Sequence, residues 1–212
     1  MADLVLYGIP QSTYVRSARM ACIEKGVPHR LEAATPHSET LNRLHPFGKM
    51  PAMEHDGFML YETSAILRYI DEAFDGPRLT PSDLRRRARM EQWVSAINAY
   101  YDRTMIRQIV LQYYFPTGAD GKPDRAIIDK SAEDAKKQIA VLDEALAEGP
   151  YLLGGDISLA DLLLCPILVY FFRTPEGEAM LAASKNIRRA GEAIRARKSF
   201  IDTVPPPPPK RG

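Results

Sequence analysis

The residues best placed for chemistry fall in three short stretches. Ser12-Thr13-Tyr14 follows an apolar run, residues 4–7, that Gly8 and Pro10 stop. Glu62-Thr63-Ser64 follows a second apolar run, residues 58–61, and heads a segment whose apolar positions Ala65, Ile66, Tyr69 and Ile70 recur at helical spacing. Between them, Lys49-Met50-Pro51 sets a cation and an X-Pro bond just ahead of that run. A strand that feeds a helix headed by hydroxyls is a physical anion site. The first N–H groups of the helix have no intrahelical partner, and its dipole end is positive. A further pair, Ser158 with Asp161 three residues on, has the spacing of a capping box, Asp standing in for the usual Glu or Gln. It is expected to support folding and not catalysis.

The elements that must carry these residues follow from the punctuation of the chain. Residues 4–7 are expected to form a buried strand, and Ser12 and Thr13 offer N-cap hydroxyls to a helix bearing Val15, Ala18, Ala21, Cys22 and Ile23. A weak strand over residues 29–34 and a short or irregular helix over 36–44 come next. Residues 50–54 and 58–61 pair through the turn at His55-Asp56-Gly57, and a helix over 62–74 closes the β-α-β-α-β-β-α order. Asp75-Gly76-Pro77, with Pro81 beyond, marks a linker. Thereafter every pattern is helical. One long helix is expected over residues 82–114, then helices over 125–147, from 158 to about 173, 175–183 and 187–200. The terminal proline run from Pro205 cannot join a helix or a central strand, and is expected to be an extended, frayed end.

The run Pro-Phe-Gly-Lys-Met-Pro-Ala at residues 46–52, a short hairpin, and Tyr-Glu-Thr-Ser-Ala-Ile-Leu at 61–67 resemble the glutathione site of the cytosolic glutathione S-transferases. On the residues alone Pro51 is more readily a trans strand-edge proline, since cis makes up only about 5–6% of X-Pro bonds. The resemblance implies that it is cis. It further implies that the backbone of Met50 pairs with the cysteinyl part of glutathione, that Glu62 and Thr63 hold the γ-glutamyl end, and that Lys49 meets the glycyl carboxylate, with His37 and Ser38 near that end. The expected fold is that family's: a thioredoxin-like α/β N-terminal domain (residues 1–76), then an all-α C-terminal domain (82–202) and a Pro-rich flexible tail (203–212).

The implied reaction needs a thiolate, and a free thiol with a pKa near 8.5 supplies little of one at neutral pH. Ser12 matches the place where the serine-type classes (phi, theta and zeta), here with a bacterial member in view, donate a hydroxyl to the glutathione sulfur. The motif by itself favours a plain N-cap, and only the resembled glutathione-site residues downstream turn the reading toward Ser12 as the donor. Tyr7 and Thr13 stay open as alternatives, and the Arg expected five residues after the Ser is Ser17, flanked by Arg16 and Arg19. Tyr14, Tyr101 and Met105, with Tyr100, Tyr113, Tyr114, Phe115, Tyr170 and Phe171, are candidates to line an electrophile pocket between the domains near Arg103 and Arg107. A helical aromatic stripe is as a rule core. The resemblance thus implies a detoxifying glutathione transferase acting on an aromatic or hydrophobic electrophile, working as a cytoplasmic homodimer. Two alternatives stay alive. One is another glutathione-dependent reaction on the same fold, such as dehalogenation, isomerisation, peroxide reduction or ether cleavage. The other is a non-catalytic glutathione-fold binding module.

Composition excludes other classes. A net charge of +1 gives no electrostatic reason to expect nucleic acid or an anionic membrane, and no run approaches the roughly 18 apolar residues that span a bilayer. The first residues lack the basic and apolar regions of a secretory signal. The cysteines, Cys22 and Cys165, lie far apart, and Cys22 falls on the apolar face of the first helix as an inert core thiol. The histidines His29, His37, His45 and His55 show no metal-ligand spacing, so no metal is expected.

Overall fold

A computed structural model describes residues 4–206 of the 212-residue chain. They form two compact units, one of residues up to Thr80 together with those from Arg195 onward, the other Pro81–Ile194.

The first unit is built on a four-stranded sheet in the order β2-β1-β3-β4. β1 (Leu4–Gly8) is an apolar run with neighbours on both sides, so Leu4, Val5 and Leu6 are all buried. β2 (His29–Ala33) lies parallel to it, while β3 (Ala52–His55) and β4 (Phe58–Tyr61) continue antiparallel on its other side. The crossover from β1 to β2 is α1 (Thr13–Lys25), closed by Gly26 at φ 70°, a left-handed position that glycine takes without a Cβ penalty. After β2 comes the short α2 (Glu39–Leu44), and α3 (Thr63–Ala73) follows β4. α1 and α3 pack on each other. Between them Lys25 and Asp71 form a fully buried ion pair at 3.3 Å, and Asp71 also accepts the Leu79 N–H at 2.9 Å. Removing either partner of such a pair leaves a buried charge uncompensated.

Register fixes which loops meet. Gly8 ends β1, Ala52 begins β3 opposite Tyr7, and Tyr61 ends β4 opposite Ala52. The three segments at that end of the sheet are therefore the approach to α1, the approach to β3 and the approach to α3. These are the three stretches in which the sequence concentrates its polar chemistry.

The second unit is helical. It contains α4 (Leu84–Ala96), a π-helical stretch (Ile97–Val110), α5 (Leu111–Tyr114), α6 (Arg125–Ala145), α7 (Leu159–Phe171) and α8 (Pro175–Ala183). α9 (Lys185–Arg195) ends at the unit boundary, and α10 (Lys198–Ile201) belongs to the first unit. α7, the most apolar, is buried almost throughout, from Leu159 to Ile167. Among the described residues no helix is long and apolar enough to cross a membrane.

Three expectations are corrected. The helix expected over 82–114 is not uniform, because residues 97–110 widen to i→i+5 turns. The Leu111 N–H reaches back to Ile106, and the Arg107 side chain reaches Asp102, five residues earlier, at 2.9 Å. The helix expected over 187–200 breaks after Arg195 and restarts at Lys198. Residues 195–202, assigned to the helical domain, and Thr203, assigned to the tail, belong with the first unit, where Thr203 is wholly buried. Residues 207–212 of the expected tail lie outside the described residues.

Candidate functional site

Ser12 is the N-cap of α1. Its backbone is extended, and its Oγ accepts the Val15 N–H at 3.3 Å. A hydroxyl that accepts there keeps its proton for another acceptor. It is half-buried, and the first turn of α1 carries no acidic side chain. Gly8 makes this approach possible. At φ 155° it has the conformation glycine permits, and a Cβ there would sit 2.4 Å from Val15 Cγ2 and 3.3 Å from Met50 Cβ. Gly8 thus brings Met50 against the strand end that leads to Ser12.

The Met50-Pro51 peptide bond is cis. Met50 packs beside Tyr7 and Leu44 on a small core of Ala34, Leu41 and Ala52. His37, at φ 60°, donates its N–H to the Gly48 carbonyl at 2.8 Å, which holds the His37 turn beside the exposed Lys49. Gly48 is needed here, since at φ 58° a Cβ would meet Asn42 Oδ1 at 2.5 Å.

Glu62 departs from what its motif suggests. It heads α3 at φ 70° and ψ 118°, a rare conformation for a residue with a Cβ, and its side chain caps nothing. Such backbone strain, of order 1–3 kcal/mol, concentrates at functional sites. The Glu62 carboxylate is left exposed, 3.9 Å from His45 Nε2, while Thr63 behind it is buried. His45 is fixed by its turn. Its Nδ1 accepts the Phe47 N–H at 3.1 Å, so the neutral ring carries its proton on Nε2, facing Glu62. Burial lowers the His45 pKa, Glu62 raises it and Lys49 lowers it, with a net fall. His45 thus turns its Nε2 edge toward the Glu62 carboxylate without a hydrogen bond to it. The sequence signals only a turn at that position, and the link to Glu62 spans 17 residues of chain.

The alternatives to Ser12 fare differently. The Tyr7 hydroxyl donates to Glu54 Oε2 across the strand pair at 2.9 Å. Burial, and then the hydrogen bond and charge of Glu54, push its pKa up, which commits the proton and speaks against a thiol-activating role. Thr13 is buried. Ser17, where an Arg is expected, donates to the Thr13 carbonyl inside α1, and the neighbouring Arg16 is the buried cation. Cys22 is wholly buried, and burial pushes its thiol up to about 12. Tyr14 lies half-buried in the first turn of α1.

Tyr101 and Met105 lie in the helical unit, both buried, and the Tyr101 hydroxyl donates to the Gln138 carbonyl of α6 at 3.1 Å. The π-helical stretch packs on both α6 and α7, and the Tyr101 bond is part of its contact with α6. Tyr100, Tyr101, Arg103 and Arg107 line a groove of about 1590 Å³ that lies wholly within this unit, along α4, the π-helical stretch and α6. Phe171 is buried in the core. Tyr113 donates to Glu176, which Arg125 also holds. Among the described residues no group of three side chains is placed to hold a metal ion.

Comparison with known proteins decides the family. The N-terminal domain model of glutathione S-transferases matches residues 6–78, and the C-terminal domain model matches residues 125–196. The chain belongs to the glutathione S-transferase family. Glutathione S-transferase 3 of Zea mays is 31% identical over 98% of either chain. The crystal structure of glutathione transferase F7 from Populus trichocarpa matches with a TM-score of 0.85 at 28% identity, covering 94% of this chain and 97% of that one. A glutathione S-transferase I solved with lactoylglutathione shares the fold, with a TM-score of 0.82 at 24% identity over 95% and 98% of the two chains.

Proposed function

We propose that this chain is a glutathione transferase of the serine type, related to the phi class, in which Ser12 activates the glutathione thiol. The observation that carries the reading is the meeting of three loops at one end of the sheet. It sets the N-cap hydroxyl of Ser12, the cis Met50-Pro51 bond and the strained Glu62 on neighbouring strand ends. Glutathione is the co-substrate. Met50 offers backbone groups to its cysteinyl part, Glu62 and Thr63 receive the γ-glutamyl end, and Lys49 with His37 faces the glycyl carboxylate. The Ser12 hydroxyl donates to the sulfur, and the positive end of α1 adds to the stabilisation of the thiolate. The thiolate then attacks an electrophilic carbon, and the leaving group departs with its electron pair. Tyr14, half-buried in the first turn of α1, is assigned to the electrophile's surroundings.

We further assign a cytoplasmic homodimer. Phe47 and Tyr61, left exposed on either side of the His45 ring, are the surface assigned to the second copy. Sedimentation at micromolar concentration should give twice the chain mass of 23.8 kDa, and a single-chain mass there would refute the dimer.

Calorimetry with glutathione tests the site, on the wild type beside Ser12→Ala and Glu62→Ala. Glu62→Ala should weaken binding by about 1.5–3 kcal/mol, the worth of a hydrogen bond to a charged group. Ser12→Ala should bind about as well as the wild type yet raise the thiol pKa of bound glutathione toward 8.5, the free-thiol value. Failure of the wild type to bind glutathione would sink the transferase reading.

A further inference from the structure

One face of α1 is covered from end to end by the last described residues of the chain. At the C-terminal end of α1 the Arg197 guanidinium grips the Glu24 carboxylate, through Nε at 2.7 Å and Nη2 at 2.6 Å, and the Ser199 hydroxyl donates to the same carboxylate. Burial raises the Glu24 pKa, but the Arg197 and Ser199 hydrogen bonds and the Arg197 charge together bring it below the usual carboxylate range. Further along, Arg19 Nη2 reaches the Asp202 carbonyl at 3.4 Å. Next, the buried Arg16 donates from Nε to Thr203 Oγ1 at 3.2 Å and from Nη2 to the Phe200 carbonyl at 3.2 Å, its guanidinium 4.4 Å from the Phe200 ring centroid. The last contact is Gln11 Nε2 to the Pro206 carbonyl at 3.4 Å. Residue 24 thus meets 197 and 199, 19 meets 202, 16 meets 200 and 203, and 11 meets 206. The segment runs antiparallel to α1 and ends beside the residue that precedes Ser12.

The hold reaches Ser12 through the backbone. The Arg16 N–H donates to the Ser12 carbonyl at 3.0 Å, so a side chain pinned at Nε and Nη2 also pins the peptide that makes Ser12 an N-cap. Thr203 is itself locked. It is wholly buried, and its hydroxyl donates to the Ser199 carbonyl at 2.6 Å while accepting from Arg16. A locked side chain is what holds a donor within tenths of an ångström of a productive position.

We propose that residues 197–206 form a strap that positions the Ser12 hydroxyl, with Arg16 and Thr203 as the positioning residues. The proposal rests on the reading of Ser12 as the thiol's hydrogen-bond donor. The strap touches no reacting atom. Its effect is on where the α1 mouth sits, and therefore on the thiol pKa and kcat and not on the binding of glutathione.

The test uses the full chain and reads three quantities. These are the pKa of bound glutathione from thiolate ultraviolet absorbance, kcat and KM with glutathione and a chlorodinitrobenzene, and the melting temperature. Thr203→Val keeps the volume and removes the acceptor. It should raise the bound thiol pKa by about half a unit and lower kcat roughly tenfold, with KM for glutathione held within about twofold. Thr203→Ser, which keeps the hydroxyl, should restore the wild-type values. Arg197→Met loosens the strap at its far end, leaves the Glu24 carboxylate to Ser199 and so lowers the melting temperature, and should also move pKa and kcat the same way by a smaller amount. Ser12→Ala is run beside them. If Ser12→Ala raises the thiol pKa while Arg197→Met and Thr203→Val lower only the melting temperature, the strap is refuted and the Ser12 reading stands. If Ser12→Ala leaves the thiol pKa unmoved, the reading fails and takes the strap with it.

Discussion

The serine N-caps of α1 and α7 are set to opposite tasks by their surroundings. At α7, Ser158 is buried and donates both its N–H and its hydroxyl to Asp161 Oδ2, at 2.8 and 2.7 Å, while Asp161 Oδ1 takes the Leu152 N–H at 2.8 Å. The capping box closes on itself and leaves no proton to offer. At α1, Ser12 is half-buried, has no acid in the first turn and, among the described residues, its hydroxyl accepts the Val15 N–H. A cap is free to become a chemical group when its hydroxyl proton is not taken by a carboxylate of its own helix. The same residue type three positions from a carboxylate is mortar.

Mutation should separate the two caps cleanly. Asp161→Ala strands three donors in the interior and should cost about 3–5 kcal/mol of stability, read by denaturant melting, since each buried donor left unpaired costs about 1–3 kcal/mol. Whatever folds should keep its glutathione affinity. Ser12→Ala should do the reverse. Losing one oriented donor lowers kcat by about a hundredfold or more, and the lost cap should cost only about 0.5–2 kcal/mol of stability. If Ser12→Ala melts the protein and spares kcat, the contrast collapses.

The pH dependence sharpens it further. Burial, stronger than the donors around it, pushes the Asp161 carboxyl up from 3.8 to about 6. A pKa raised on folding favours the protonated form, so this contribution is fully present below the unfolded value and fades as pH rises through about 6. The stability of the wild type relative to Asp161→Asn should therefore fall by about 2–3 kcal/mol between pH 4 and pH 6. Ser12→Ala should leave that profile unchanged. Glu24 has the opposite sign. Its lowered pKa stabilises the fold above the unfolded value of 4.5, and that contribution is lost as pH falls through the folded one. The smallest effect is expected at Cys22. With its thiol at about 12 and no exposure, the native protein should resist alkylation there at pH 8, and labelling should appear only on denaturation.

Much of this was legible in the chain because the signals are local. The β4 strand and α8 coincide with the expected segments, since each is bounded by punctuation within a few residues, Asp56-Gly57 before β4 and Pro175 at the start of α8. The Ser158–Asp161 box needs only four consecutive residues. The widening of residues 97–110 was not legible, because an i→i+5 stretch and an α-helix carry nearly the same apolar pattern. Nor was the burial of Tyr101 against α6, since an aromatic on a helical stripe does not record which neighbour it faces.

By itself, then, the sequence determined the order of strands and helices in the first unit, which of them carry polar residues at their mouths, and the family to which those motifs belong. Each of these depends on interactions within a turn or two of chain. Tertiary structure alone decided that Tyr7 is committed to Glu54, that His45 lies beside Glu62, and that residues 197–206 return along α1 to Gln11. Such choices belong to register and to contacts made across as many as 195 positions. A side chain's partner there is set by what the fold brings beside it, and nothing in its near neighbours encodes that.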